Sequence, residues 1–270
     1  MKVCVIGGAG RMGSWFARYF RDRGHEVSIL DLDEERSERV SIELGVRSVR
    51  DVRGTEADVY FICVPTSAVA EVLSRINREV ANTRATIVEI SSVKSPLVSA
   101  LRESLGRGFS VLSMHPMFGP GTSDPSKSPT VLISLAGDGS EVALARGLMP
   151  DLNFIVMSAD EHDRFTSFSL SLTHFVNMAF CLSICEEDLS RLKEVAGASF
   201  NSQVKTLGHV LDGGDAAIAD TLTLNSKSVY AIERFLEVSK SLLAMVRGGC
   251  AKDLKKEVAL CKSILPSLNL

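Results

Sequence analysis

Val3-Cys-Val-Ile-Gly-Gly-Ala-Gly-Arg-Met-Gly13 decides the fold of this chain. A short apolar run ends in a glycine-rich turn. The turn opens onto a stretch in which Met12, Trp15, Phe16, Tyr19 and Phe20 recur at helical spacing. Gly8, Gly10 and Gly13 fill the positions of a G-x-G-x-x-G pattern. Between a strand and a helix, the first glycine permits a sharp turn, the second lets backbone approach a pyrophosphate, and the third lets helix and strand pack closely. The helix start, with Arg11 and Met12, then offers unpaired N–H groups and a partial positive charge to phosphates. Gly24 is placed to stop that helix in a left-handed conformation. Asp31 ends the next apolar run, where a carboxylate accepts hydrogen bonds from an adenosine ribose and repels a 2′-phosphate. The expected cofactor is therefore NAD, with Arg36 near enough to keep NADP as the lesser choice.

Outward from this stretch, β-branched runs at residues 3–7, 27–31, 46–49, 59–64, 86–90, 111–114, 130–135 and 154–157 alternate with amphipathic segments. Such alternation predicts an α/β fold with a Rossmann-type, doubly wound, mainly parallel sheet. After about residue 158 the strand signal stops and the rest reads as helix. Asp160 is the expected cap of the first helix, Gly213-Gly214-Asp215 an internal break, and Gly248-Gly249 the end of a long helix. The domains expected are 1–158, binding dinucleotide, and 159–270, helical, for dimerisation and substrate. The helical half carries more apolar positions than its length can bury, which predicts a homodimer.

Of the 270 residues 45% are hydrophobic, and the formal net charge is −3 with no block of Lys and Arg, which argues against a nucleic-acid partner. The six cysteines form no C-x-x-C pair. Cys181 and Cys185 lie one helical turn apart, but no metal site is expected, and the thiols suit a reducing, cytoplasmic setting. Residues 168–185 are apolar yet hold three serines, Thr173, His174 and Asn177, too many polar groups for a lipid-facing span. A helix buried between protein surfaces is expected there, and no membrane. The chain starts on the first strand, without a cleavable leader, and ends soon after the last helix, so no appended domain is expected.

Val111-Leu-Ser-Met-His-Pro-Met-Phe-Gly-Pro120 puts His115 at the end of a strand, with prolines and a glycine stiffening the loop after it. Imidazole exchanges a proton near neutral pH, and the carboxyl ends of strands in open α/β sheets are where ligands bind. Val64 and Pro65 end the fourth strand, beside the expected nicotinamide half of the cofactor. Ser92 follows the fifth strand, close enough in such a sheet to share a hydrogen bond with His115. No G-x-S-x-G elbow accompanies that pair, so a hydrolase is disfavoured.

The glycine stretch, Ser92-Val-Lys94, His115-Pro-Met-Phe-Gly-Pro120 and Leu172-Thr-His-Phe175 together resemble the prephenate/arogenate dehydrogenase family of tyrosine biosynthesis, over nearly the whole chain. The resemblance implies NAD-dependent oxidative decarboxylation of prephenate to 4-hydroxyphenylpyruvate, a cyclohexadienyl acid being the small-molecule substrate. His115 would hydrogen-bond the ring hydroxyl and take its proton, while Ser92 holds the histidine or the nicotinamide. His174 would face the substrate, and His162-Asp163 would be a structural contact at the domain junction. Many members carry an arginine that clamps a carboxylate. Asn201 stands there in this chain, with Lys205 one turn later as its replacement. Arogenate dehydrogenase, another NAD(P)-dependent dehydrogenase of this architecture, and a dinucleotide sensor without chemistry are the alternatives.

Overall fold

Strand β1 (Lys2–Ile6) sends Val3 and Val5 into one core and Cys4 and Ile6 into another, and all four are buried. A strand covered on both faces reads as a continuous apolar run, which is why the sequence shows no alternation here. The computed structural model describes residues 1–268 apart from 136 and 138.

Seven further strands follow: β2 (Glu26–Leu30), β3 (Arg47–Ser48), β4 (Val59–Ile62), β5 (Thr86–Glu89), β6 (Ser110–Pro116), β7 (Pro129–Ile133) and β8 (Asn153–Met157). They form one sheet in the order β3-β2-β1-β4-β5-β6-β7-β8. Every pairing is parallel except β6 with β7, where His115 lies opposite Val131. The chain crosses from one side of β1 to the other between β3 and β4. That reversal opens a crevice at the carboxyl ends of β1 and β4.

Helix α1 (Arg11–Arg21) buries Phe16, Tyr19 and Phe20, and Phe16 meets Phe61 of β4 at 4.4 Å between ring centroids. The sharp turn before it belongs to Gly7, at φ +77°, rather than to Gly8. Gly8 is needed for a different reason: a Cβ there would stand 2.5 Å from Cβ of Ile29 on β2. A Cβ on Gly13 would collide with the carbonyl oxygen of Gly7. Gly13→Ala is therefore expected to lower stability by about 1–3 kcal/mol, the usual cost of overpacking, read as a lower urea midpoint at unchanged slope.

Helix α2 (Glu34–Leu44) is capped by Asp33, which accepts from N–H of Arg36. Helices α3 (Thr66–Glu79), α4 (Val98–Gly106) and α5 (Ser140–Leu148) complete the covering of the sheet.

The last strand ends at Met157, and the helical run begins with α6 (Ala159–Thr166). Its cap is Ser158, whose hydroxyl accepts from N–H of Glu161; Asp160, expected in that role, lies in the first turn and pairs with Lys227. A π-helical segment (Ser167–Leu172) joins α6 to α7 (Thr173–Ile184). Then come α8 (Leu189–Glu194), α9 (Ala198–Leu211), α10 (Asp215–Leu224), α11 (Ser228–Arg247) and α12 (Ala251–Ile264).

The helix running from Ala159 to Ile184 is long and apolar enough to cross a membrane by length and composition alone. Its polar residues nonetheless find protein partners. Ser171 donates to the carbonyl of Thr221, and Ser228 donates to Ser171, all buried. The expectation of a helix enclosed between protein surfaces is met on one face only, because Phe165, Phe168 and Leu182 are exposed. Helices α8, α9 and α12 bury no residue at all in the single chain.

Candidate active site

Three adjoining cavities form one crevice along the carboxyl edge of the sheet. The first, about 350 Å³, lies between the ends of β1, β2 and β4, lined by Gly10, Asp31, Arg36, Val64 and Pro65 among others. The second, about 480 Å³, shares Gly10, Arg36, Val64 and Pro65 with it and adds Arg11, Met12, Ser91 and Ser92. The third, about 350 Å³, shares Met12 and Ser92 with the second and ends on His115, Phe118 and His174.

The first two cavities suit a dinucleotide. Gly10 is the N-cap of α1 with no side-chain cap bond, so the first-turn N–H groups face the crevice unpaired. Asp31 is tied to this turn: its carboxylate accepts from N–H of Ala9 at 3.0 Å and N–H of Asp33 at 3.2 Å. Val64 and Pro65 line both cavities, and Pro65 caps α3. Ser91 is buried beside the second cavity, and its hydroxyl has no hydrogen-bond partner. An orphaned donor of that kind fits a ligand that brings an acceptor. Across the mouth, Arg11 binds both the carbonyl and the carboxylate of Asp212, the residue just after α9.

Ser92 and His115 both line the third cavity, as strand order implied, but they do not bond each other. The partner of His115 is His162, with Nδ1 and Nε2 2.9 Å apart. His162 in turn places Nδ1 2.8 Å from Asp163 Oδ1. The pair expected only as a junction contact thus reaches the site, while serving the junction too: Asp163 accepts from N–H of Lys94 and N–H of Ser95 after β5. These bonds fix the tautomers. Burial alone would raise the carboxyl of Asp163, yet the donors from His162, Ser95 and Lys94 outweigh it and hold its pKa below the ordinary value, so it accepts. His162 therefore donates through Nδ1 and accepts at Nε2, and His115 donates through Nδ1. The lone pair of His115 is left on Nε2. Burial first, then His162 and Lys94, hold the imidazole of His115 well below the usual histidine range.

Beneath His115 lies a buried ion pair. Lys94 Nζ stands 2.7 Å from Glu89 Oε1 and donates to the carbonyl of Met114 at 2.5 Å. Glu89 also accepts from Ser113 and from N–H of Ser91. Desolvation pulls the ammonium of Lys94 down, and Glu89 and Asp163 offset part of that.

His174 on α7 is buried against the third cavity, with Nδ1 unpartnered and its pKa lowered by burial. Asn201 and Lys205 are placed otherwise than expected. Both are exposed on α9 and neither lines the crevice, because α9 leans on α7 through Gln203 and Asn177. Their place at the crevice is taken by the glycine break and α10: Gly213, Ala217, Ile218 and Thr221. No side chain caps α10, so its first turn turns unpaired N–H groups toward the crevice. The Gly213-Gly214 pair was the sequence signal for this approach, and the adjacent His162-Asp163 was the signal for the partner of His115. Among the described residues no cluster has the makings of a metal site.

A family model described as the nucleotide-binding domain of prephenate dehydrogenase matches residues 16–135. A probable arogenate/prephenate dehydrogenase of Methanocaldococcus jannaschii is 24% identical over 92% of this chain and 57% of its own length. The chain is thus similar to prephenate and arogenate dehydrogenases over most of its length. It spans about three fifths of the length of the first curated relatives it matches. In fold, the chain is similar to a prephenate dehydrogenase of A. aeolicus in complex with hydroxyphenyl propionate and NAD+, with a TM-score of 0.82 at 19% identity, over 100% of this chain and 98% of that one. The arogenate dehydrogenase of Synechocystis gives a TM-score of 0.74 at 17% identity, each chain being covered in full.

Proposed function

We propose that this chain is an NAD-dependent dehydrogenase that decarboxylates prephenate oxidatively to 4-hydroxyphenylpyruvate. The observation that carries the reading is the unshared Nε2 of His115, at the end of a cavity that runs on into the glycine-loop crevice. Residues 1–158 serve as the dinucleotide domain and 159–270 as the helical domain. Gly8, Gly10, Arg11, Met12 and Gly13 would cradle the pyrophosphate, Asp31 the adenosine ribose, and Val64 and Pro65 the nicotinamide side. NAD, when bound, supplies the hydride acceptor. His115 draws the proton from the ring hydroxyl as the C4–H bond breaks, and Ser92 bounds the same cavity. Carbon dioxide then leaves and the ring becomes aromatic, so the protein has chiefly to position and desolvate the substrate.

A second reading is arogenate as substrate, whose ammonium would call for a carboxylate; Asp215 stands on the wall of the second cavity, which adjoins the third. Arg36 on the same walls gives NADP a partner for its extra phosphate. Steady-state kinetics at 340 nm with both acids against both cofactors is the test. Turnover of prephenate with NAD is expected; no turnover with any combination would leave a sensor.

The uncovered apolar surface belongs to a homodimer. Helix α11 alone exposes Val229, Tyr230, Val238, Leu243 and Val246. Short helices that bury nothing are not stable in water by themselves. Light scattering at micromolar concentration should give twice the chain mass, and a monomer would contradict the proposal. The Ala159–Ile184 helix is read as part of this protein interface and not as a span, since its first turns carry His162 and Asp163 into the site. A cytoplasmic protein with neither membrane nor nucleic-acid partner follows from that reading.

A further inference from the structure

The dehydrogenase reading, on which this inference rests, leaves one group unexplained. His162 is fully enclosed, and no part of it reaches the crevice. A histidine that only braced His115 could be replaced by any fixed acceptor, such as a backbone carbonyl. Here the acceptor is a second imidazole, itself seated on a carboxylate.

We infer that His162 is a second station for the substrate's proton, lent during hydride transfer and returned afterwards. The O–H bond of the ring alcohol breaks, and its proton goes to Nε2 of His115. The Nδ1–H bond of His115 breaks in turn, and that proton goes to Nε2 of His162. The positive charge comes to rest on the imidazole that touches Asp163, 2.8 Å away, instead of on the one that faces Lys94. Once the C1–carboxylate bond has broken, its electron pair enters the ring and reaches the oxygen as a phenolate. The phenolate takes the proton back from Nε2 of His115, and His162 returns its own to Nδ1. The hydride and carbon dioxide leave the substrate, while the proton leaves and comes back.

A proton that comes back needs no outlet, and the far end of the relay is sealed. A proton destined for solvent needs an exit, and none exists at His162. A proton to be returned needs a closed store. The charged and titratable groups around the store are His115 on β6, Lys94 and Glu89 at the end of β5, and Asp163 on α6 itself. Asp163 is the carboxylate in direct contact, and its other oxygen is held by N–H of Ser95.

His162→Gln separates storage from bracing. Its amide oxygen can accept from Nδ1 of His115 and hold the ring, but it cannot take a proton. Expected are a fall in kcat of about tenfold to a hundredfold, KM within about twofold, and an acid limb of kcat/KM moved to lower pH. The pH shift follows because His115 would have to carry the charge alone, with burial and Lys94 still against it. A proton inventory in mixed H2O and D2O should be curved for the wild type and linear for the variant. Wild-type kcat, pH profile and inventory in His162→Gln would overturn the store and leave a brace. Should that variant fail to fold, 15N spectra of the wild-type imidazoles decide: Nδ1 of His115 protonated and Nε2 bare is expected, and the opposite tautomer overturns the inference. Absence of turnover by the wild type with either cyclohexadienyl acid would instead sink the dehydrogenase reading, whatever the tautomers.

Discussion

Replacing His115 by asparagine is expected to lower kcat by roughly two to four orders of magnitude while leaving NAD binding intact. Asparagine keeps an N–H donor where Nδ1 of His115 faces His162, so the buried side of the site retains its bond. It places nothing where Nε2 meets the cavity, so the proposed base alone is removed. The glycine turn, Asp31 and Pro65 are untouched, and a titration following Trp15, the only tryptophan, should return the wild-type dissociation constant. In the wild type, burial and the neighbours His162 and Lys94 hold His115 well below 6.5. The proposed base therefore stays neutral as pH falls through the ordinary histidine range, and the acid limb of kcat/KM should lie below it. Unchanged turnover in the variant would remove His115 from the chemistry, and weakened NAD binding would place it in the cofactor site.

The residues that carry the fold were legible because their reason is local. Buried parallel strands are continuous apolar runs, and each expected run became a strand within a few residues at either end. The reversed direction of β7 was not legible, since side-chain pattern carries no sign of strand direction. The glycine loop shows the same boundary at finer scale. That close packing was needed could be read from spacing, but which of Gly7 and Gly8 bends and which packs depends on Ile29, a residue from another strand. In the site, the adjacency of β5 and β6 correctly brought Ser92 and His115 to one cavity. Their bond did not follow, because α6 returns across the edge of the sheet and presents His162 first. The places of Asn201 and Lys205 were not legible for a like reason: helical spacing tells which residues share a face, not against which neighbour that face is laid.

Lys94→Met should be the most damaging single change to stability, at about 3–5 kcal/mol, the usual cost of removing one partner from a buried ion pair. Glu89 and Lys94 are essentially without solvent contact, and the methionine would leave the carboxylate of Glu89 to Ser113 and N–H of Ser91 alone. Glu89→Gln in the same chain should recover part of the loss, because the amide needs no counter-charge. No recovery in the double variant, read in urea midpoints at neutral pH, would mean that the lysine matters for its length and not its charge. The pair also bears on chemistry. Lys94 ties the carbonyl of Met114, the residue before His115, to the loop whose N–H groups hold Asp163, so one buried ammonium joins both ends of the imidazole relay. Activity in Lys94→Met should therefore fall even where the protein remains folded, with kcat more affected than the affinity for NAD.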